Sequence, residues 1–307
     1  MKIALVPLLF LSFACGNTSK APAPTASASE VVPTLEPSAD PQPSASEAVT
    51  PAAPVEHALA EYTTRFKAGT SVTDGRVENI TLVAARIKDF VLAPGEEFSF
   101  NKTVGPRSQE NGFKNAPTYF AGEVLEGIGG GTCQVSSTLY AAALHAGTDI
   151  LERRPHSRKS SYVEVGLDAT VNYPASCEKA DDPTVCYDLR FKNPYPFPLH
   201  IITEVGSELG SDGKRSLKVT VFGTGEGPKV TTTWSAWSTP AFEVRRRRVP
   251  FWKDDRTRLK QPGQPGLEGA RTVVLAYPDG HEVRRKVVSR YQPVPEVWEV
   301  GQEWKEP

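Results

Sequence analysis

The stretch from Gly127 to Gly147, GIGGGTCQVSSTLYAAALHAG, constrains this chain more than any other. The consecutive glycines Gly129, Gly130 and Gly131 let the backbone turn sharply and approach a ligand with no side chain in the way. Thr132 is a good N-cap, because its hydroxyl accepts from a first-turn N–H. The spacing predicts a helix from there, with Val135, Leu139 and Ala142 as its buried stripe and Gly147 as its C′ terminator. Cys133 then sits in the first turn, where unpaired N–H groups and the positive end of the macrodipole favour a thiolate. Two readings follow: an activated nucleophile, or a small cysteine that only packs.

The N-terminus bears on the choice. Lys2 precedes an apolar run from Ile3 to Phe13, too short to span a membrane as a helix and fitting for an export signal. It ends at Ala14-Cys15-Gly16, which resembles the processing site of bacterial lipoproteins, with Cys15 as the lipidated residue. Ser12 and Phe13 depart from the usual box, and simple secretion is the alternative. Residues 1–15 are thus assigned to the signal. Residues 16–57 are rich in Pro, Ala, Ser, Thr and Glu, too poor in apolar surface to offset ordering entropy. As a coil of about 40 residues, this tether reaches on the order of 35 Å. It would hold the folded part away from a membrane in the cell envelope.

The rest is long enough for two domains. With a formal net charge of -1, the chain shows no nucleic-acid footprint. Arg245 to Arg248 reads as a solvated strand end or loop. Of four cysteines, Cys15 goes to the anchor. Cys177 and Cys186 bracket a loop, and export permits a disulfide between them. Cys133 is left over, which in an exported protein suggests a reactive thiol. Neither CxxC nor HExxH occurs, so a structural zinc site is not expected; the reading calls for no metal and no cofactor.

Along the chain, His57–Phe66 and Asn79–Phe90 are predicted as helices, and Phe98–Phe100 as a short strand. Asn101–Gly112 reads as a polar surface loop carrying Arg107. Ile150–Arg154, two pieces of Tyr162–Val171, Asp188–Lys192, Leu199–Val205 and Leu217–Phe222 read as strands. Helices first and strands later give an α+β domain with a mostly antiparallel sheet. Cysteine at a helix start, then histidine and an acid on following strands, is the chain order of papain-like and transglutaminase-like enzymes. Here the order is Cys133, His156, Asp168. An imidazole would take the thiol proton and an acid would hold its other nitrogen. The competing readings are a surface histidine crowded by Arg153, Arg154 and Arg158, and an Asp168 that caps a turn. His145 lies about 18 Å from Cys133 along a helix and is a poor base for it.

PGEEFSFNKTVGPR, the glycine turn with CQVSSTLY, ERRPHS and GLDATV together resemble the VanW-type domain of bacterial envelope proteins, over residues 58–224. Thr132 stands where that family often has an apolar residue, and the Cys177–Cys186 segment looks like an insertion. Some members are regarded as cysteine L,D-transpeptidases, which implies Cys133 as nucleophile and peptidoglycan stem peptides as substrates. An oxyanion would form near the helix start, at the Cys133 N–H and the Gly129–Thr132 turn. By residue type, Gln134 is a further donor there, and Arg107, Tyr119 and Arg154 are candidates to bind an acidic stem peptide.

Within residues 237–302, the glycines Gly263, Gly266, Gly269, Gly280 and Gly301 resemble those of a five-glycine extracellular module, a small all-β structure thought to adhere to cell-wall glycan strands. Thr272–Tyr277 and His281–Val288 would pair around Pro278-Asp279-Gly280. Trp252 and Trp298 either stack on sugars or pack. Two rivals to the transferase stand. One is a cysteine peptidase that trims stem peptides. The other is a non-catalytic wall-binding lipoprotein or scaffold.

Overall fold

The computed structural model describes residues 55–120, 123–179 and 182–306; the export segment, Cys15 and nearly all of the tether lie outside them. In chain order come β1 (His57–Lys67), α1 (Ser71–Ile87), β2 (Phe90–Leu92), β3 (Glu97–Ser99), α2 (Phe100–Val104), β4 (Asn115–Phe120), β5 (Glu123–Ile128), α3 (Thr132–His145) and β6 (Asp149–Glu152). After a long irregular segment follow β7 (Arg190–Lys192), β8 (Leu199–Val205) and β9 (Lys214–Gly223). The second module holds β10 (Lys229–Ser238), β11 (Val244–Arg248), β12 (Thr257–Gln261), β13 (Leu267–Ala276), β14 (Glu282–Tyr291) and β15 (Glu296–Val300).

Among the described residues strands outnumber helices, and His57–Lys67 is a strand where a helix was expected over His57–Phe66. β1 pairs antiparallel with β9 from His57↔Gly223 to Lys67↔Lys214. Tyr62, Thr63, Thr64 and Phe66 suit a pleated surface, and the partner far along the chain decides the matter. The first sheet runs β1-β9-β8-β2, with β3-β7-β6 and the β4-β5 hairpin beside it. The expected helix over Asn79–Phe90 exists but begins earlier and stops at Ile87, where α1 gives way to β2. The expected loop over Asn101–Gly112 begins inside α2.

Helix α3 lies across this sheet and is buried nearly all round. Val135, Leu139 and Ala142 are fully buried, but so are Ser136, Ser137 and Thr138. Their hydroxyls are bonded to backbone, as burial demands. Gly147 terminates α3 at φ +77°, donating to the Leu144 carbonyl while Thr148 donates to Ala143. That pair of bonds is a Schellman cap.

The second module has two three-stranded sheets, β10-β13-β14 and β11-β15-β12. The hairpin around Gly280 (φ +89°) joins β13 to β14. The basic run Arg245–Arg248 is β11, an exposed strand parallel to β15. Val273 and Leu275 are buried in the same apolar cluster as α1 and α3, with Val283 and Val287 packed against it. The second module therefore shares the core of the first.

Candidate active site

The glycine turn before α3 is shaped by packing. Gly129 and Gly131 have φ of +84° and +108°, a region that favours glycine. Gly130 is required by space: a Cβ there would lie 2.7 Å from the Pro117 carbonyl oxygen and 2.8 Å from that of Ala116. The close approach expected for a ligand is thus an approach to β4. Buried Asn79 fastens the turn, donating to the carbonyls of Lys114 and Gly130, 3.0 Å each. The N-cap is Gly131, and not Thr132. Thr132 is the first helical residue, and its hydroxyl donates back to the Gly129 carbonyl at 2.7 Å.

Cys133 is therefore at the second helical position. The Thr132 and Gln134 N–H groups are taken by the Gly129 and Gly131 carbonyls. The Cys133 N–H belongs to the first-turn donors that have no intrahelical acceptor. Its half-buried sulfur lies 3.7 Å from Thr170 Oγ1 and 3.5 Å from the Val171 carbonyl. The hydroxyl face of α3 arranges this. Ser136 Oγ donates to the Ala169 carbonyl at 2.7 Å, and Ser137 Oγ accepts from the Ala169 N–H at 3.0 Å. Residues 168–171 are thereby clamped along the helix start.

The same clamp brings in Asp168. Its Oδ2 accepts from His156 Nδ1 at 2.8 Å and from the His156 backbone N–H at 2.7 Å. Its Oδ1 accepts from Arg153 at 2.9 Å and from the Tyr291 hydroxyl at 2.5 Å. Four donors satisfy one buried carboxylate. Burial raises its pKa, but the His156 bond and the Arg153 charge outweigh that and hold it at about 2. With Nδ1 turned to Asp168, Nε2 is the ring nitrogen left for another partner, and His156 acts on the Cys133 thiol through a hydrogen bond and its charge. Burial pushes the thiol up; the bond to His156 and its charge pull it down to about 7. Burial opposes the His156 charge, yet the Tyr162 phenol, the Asp168 bond and the sulfur raise it well above the ordinary range. Arg153, Asp168, His156 and Cys133 thus alternate in sign. Arg153, expected to crowd the histidine, instead neutralises its acid partner.

The segment carrying these groups is irregular where strands were expected. The Ala169 N–H goes to Ser137, the Thr170 N–H to the Arg154 carbonyl, and the Val165 carbonyl accepts from Arg271. Those bonds replace a ladder. Tyr291 and Ser289 of β14 and Arg271 of β13 reach in from the second module. Ser289 Oγ accepts from Arg153 at 2.7 Å, and Tyr291 also accepts from the Gly166 N–H at 2.8 Å. Burial and the Asp168 charge hold the Tyr291 phenol up at about 12, so it remains a donor. Sequence reading missed Asn79, Ser136, Ser137, Tyr291 and the role of Arg153. Only Arg153 carried a signal, standing inside ERRPHS.

Other expected contacts are spent elsewhere. The Gln134 amide donates to Thr64 Oγ1 and the Arg65 carbonyl, and its oxygen accepts from Arg76, so it is no free oxyanion donor. Arg107 is bound to the Gly105 carbonyl and Asn101 Oδ1, over the rings of Phe100 and Tyr173. Burial lowers its pKa to about 10. Arg154 stacks 3.9 Å over Tyr187 and donates to the Pro183 carbonyl. Tyr119 lies on β4, opposite Val124, and its side chain is outside the described part. Cys177 and Cys186 are bonded, with Cα atoms 5.9 Å apart. Trp298 donates to Glu296, and Trp252 lies under Arg256 and Arg258. Among the described residues no group of His, Cys, Asp and Glu is placed to hold a metal, and no helix is long and apolar enough to cross a membrane. His156 and Thr170 line an open cleft of about 730 Å³.

Comparison with known proteins covers both modules. The family model described as VanW like protein matches residues 75–210, and that of the G5 domain matches residues 231–303. The chain is 42% identical over 143 residues to the uncharacterized protein YoaR of Bacillus subtilis (strain 168), a match spanning 47% of this chain and 43% of that protein. It is 31% identical over 104 residues to the vancomycin B-type resistance protein VanW of Enterococcus faecalis (strain ATCC 700802 / V583), over 32% of this chain and 38% of that one. The matches thus span less than half of each relative. The chain carries a VanW-like domain over residues 75–210, followed by a G5 domain over residues 231–303.

Proposed function

We propose that this is an exported cell-envelope protein and a cysteine acyl transferase of the L,D-transpeptidase type, acting on peptidoglycan stem peptides. The observation that carries the reading is the His156 imidazole held between the Cys133 sulfur and a buried carboxylate, at the edge of an open cleft. The thiolate adds to the carbonyl between the diamino acid and the following D-alanine, giving an oxyanion near the Cys133 N–H. The C–N bond then breaks, His156 gives its proton to the departing D-alanine amine, and a thioester remains. An amine of a neighbouring stem peptide gives a proton to His156 and attacks the thioester. The C–S bond breaks and the thiolate returns. Asp168 keeps Nδ1 of the imidazole protonated and stabilises its charge.

Export, lipidation at Cys15 and a tether over residues 16–57 belong to the same proposal. So does wall association through the second module, supported by its match to the G5 domain. The test is intact-mass analysis of full-length protein with a muropeptide donor. Wild type gains the acyl mass less D-alanine and Cys133→Ser does not; an unlabelled wild type refutes the reading. Cross-linked dimers as products identify transfer, and trimmed monomers identify hydrolysis. Palmitate labelling lost in Cys15→Ala tests the anchor.

A further inference from the structure

The cleft beside His156 and Thr170 is lined by Arg65 and Lys67 of β1, Arg76 of α1, Lys214 of β9, and Arg158 and Lys159 just after His156. No Asp or Glu is among its lining residues. The chain as a whole has a net charge of -1, so this is a local concentration. The cations arrive from separate elements that converge only in the fold. Asp212 pairs with Arg65 at 3.4 Å and with Lys214 at 3.8 Å, offsetting part of their charge. Arg76 spends one nitrogen on Gln134. Lys67 and Lys159 are exposed and make no ion pair among the described residues. A concave surface of one sign focuses its field and concentrates ligands of the other.

We infer that this cleft is the acyl-donor site, and that it selects donor peptides whose carboxylates are free over those whose carboxylates are amidated. The inference rests on the acyl-transfer reading and names its donor chemistry. A ligand here must bring an electrophilic carbonyl to the sulfur and negative charge to the cleft beyond it. A peptide with unmodified carboxylates carries both in one chain. A phosphate polymer supplies the charge with no peptide carbonyl to attack. Lys67 and Lys159 offer exposed ammonium donors to a carboxylate; a carboxamide carries no charge and puts an NH2 donor in place of one acceptor oxygen. Sequence reading placed this role on Arg107 and Arg154, whose guanidinium groups are engaged elsewhere.

The probes are two tetrapeptides, L-Ala-γ-D-Glu-diaminopimelate-D-Ala with free carboxylates and the same peptide with carboxamides at the glutamyl and diaminopimelyl positions. Acylation of the full chain is followed by intact mass, and binding to Cys133→Ser by calorimetry. The free-carboxylate peptide is expected to bind and acylate about tenfold better, from two exposed contacts. The preference narrows on raising salt from about 0.05 to 0.5 M, which screens exposed charges with no substitution made. It also narrows in Lys67→Glu/Lys159→Glu. Equal binding of the two peptides overturns the inference and leaves acyl transfer standing. A binding preference with no acylation of Cys133 sustains the cleft and overturns the chemistry. A preference indifferent to salt also overturns the inference, because it would not arise from these cations.

Discussion

Replacing His156 with alanine removes the group that holds the Cys133 thiol down. In the wild type the bond to His156 and its charge overcome burial and bring the thiol to about 7. Without the imidazole, burial remains and the weaker contacts with Val171 and Thr170 must oppose it alone. The thiol then returns to at least the ordinary range, about 8.5. The shift is about 1.5 units or more, about 2 kcal/mol. At pH 7 the ionised fraction falls from about half to a few per cent, a drop of roughly 15-fold. Alkylation slows by less, because a thiolate of higher pKa is the better nucleophile. The midpoint is therefore the quantity to read. Iodoacetamide labelling of Cys133, followed by intact mass from about pH 5 to 10, gives it directly. A midpoint that stays near that of the wild type in His156→Ala would refute the pairing and with it the assignment of His156 as the base.

Tyr291→Phe removes a charge-assisted bond to Asp168 and strands the Gly166 N–H, costing about 1.5–3 kcal/mol. The expected fall in Tm is roughly 5–10 °C by scanning calorimetry, and an unchanged Tm would show that the second module does not brace the acid. Asp168, at about 2 in the fold, lies below its unfolded value of about 3.9, so it stabilises the protein above that value and ceases to as pH falls through 2. Urea unfolding should accordingly show the cost of Asp168→Asn shrinking by about 2 kcal/mol between neutral pH and pH 2; a constant cost contradicts the sign. Gly130→Ala puts a methyl against the Ala116 and Pro117 carbonyls and is expected to destabilise by about 1–3 kcal/mol, measured by the same unfolding curves.

The sequence by itself determined the elements whose signals are local. The glycine turn, α3 with its Gly147 stop, β8, β9 and the hairpin around Gly280 all follow from residue pattern and turn chemistry. It also named Cys133, His156 and Asp168, because chain order and residue type are visible without contacts. What it misplaced depends on distant partners. His57–Lys67 is a strand because β9 lies beside it, and Tyr162–Val171 is irregular because its backbone bonds go to Ser137, Arg154 and Arg271. Gln134, Arg107 and Arg154 have the right chemistry for a substrate site, but the fold binds Gln134 to Thr64, Arg65 and Arg76, Arg107 to Gly105 and Asn101, and Arg154 to Tyr187 and Pro183. The tertiary structure alone brought Ser136 and Ser137 onto residues 168–171, Tyr291 onto Asp168, and six cations into one cleft. A side chain's partners are fixed by packing across the core, and residues far apart in the chain carry no mark of meeting.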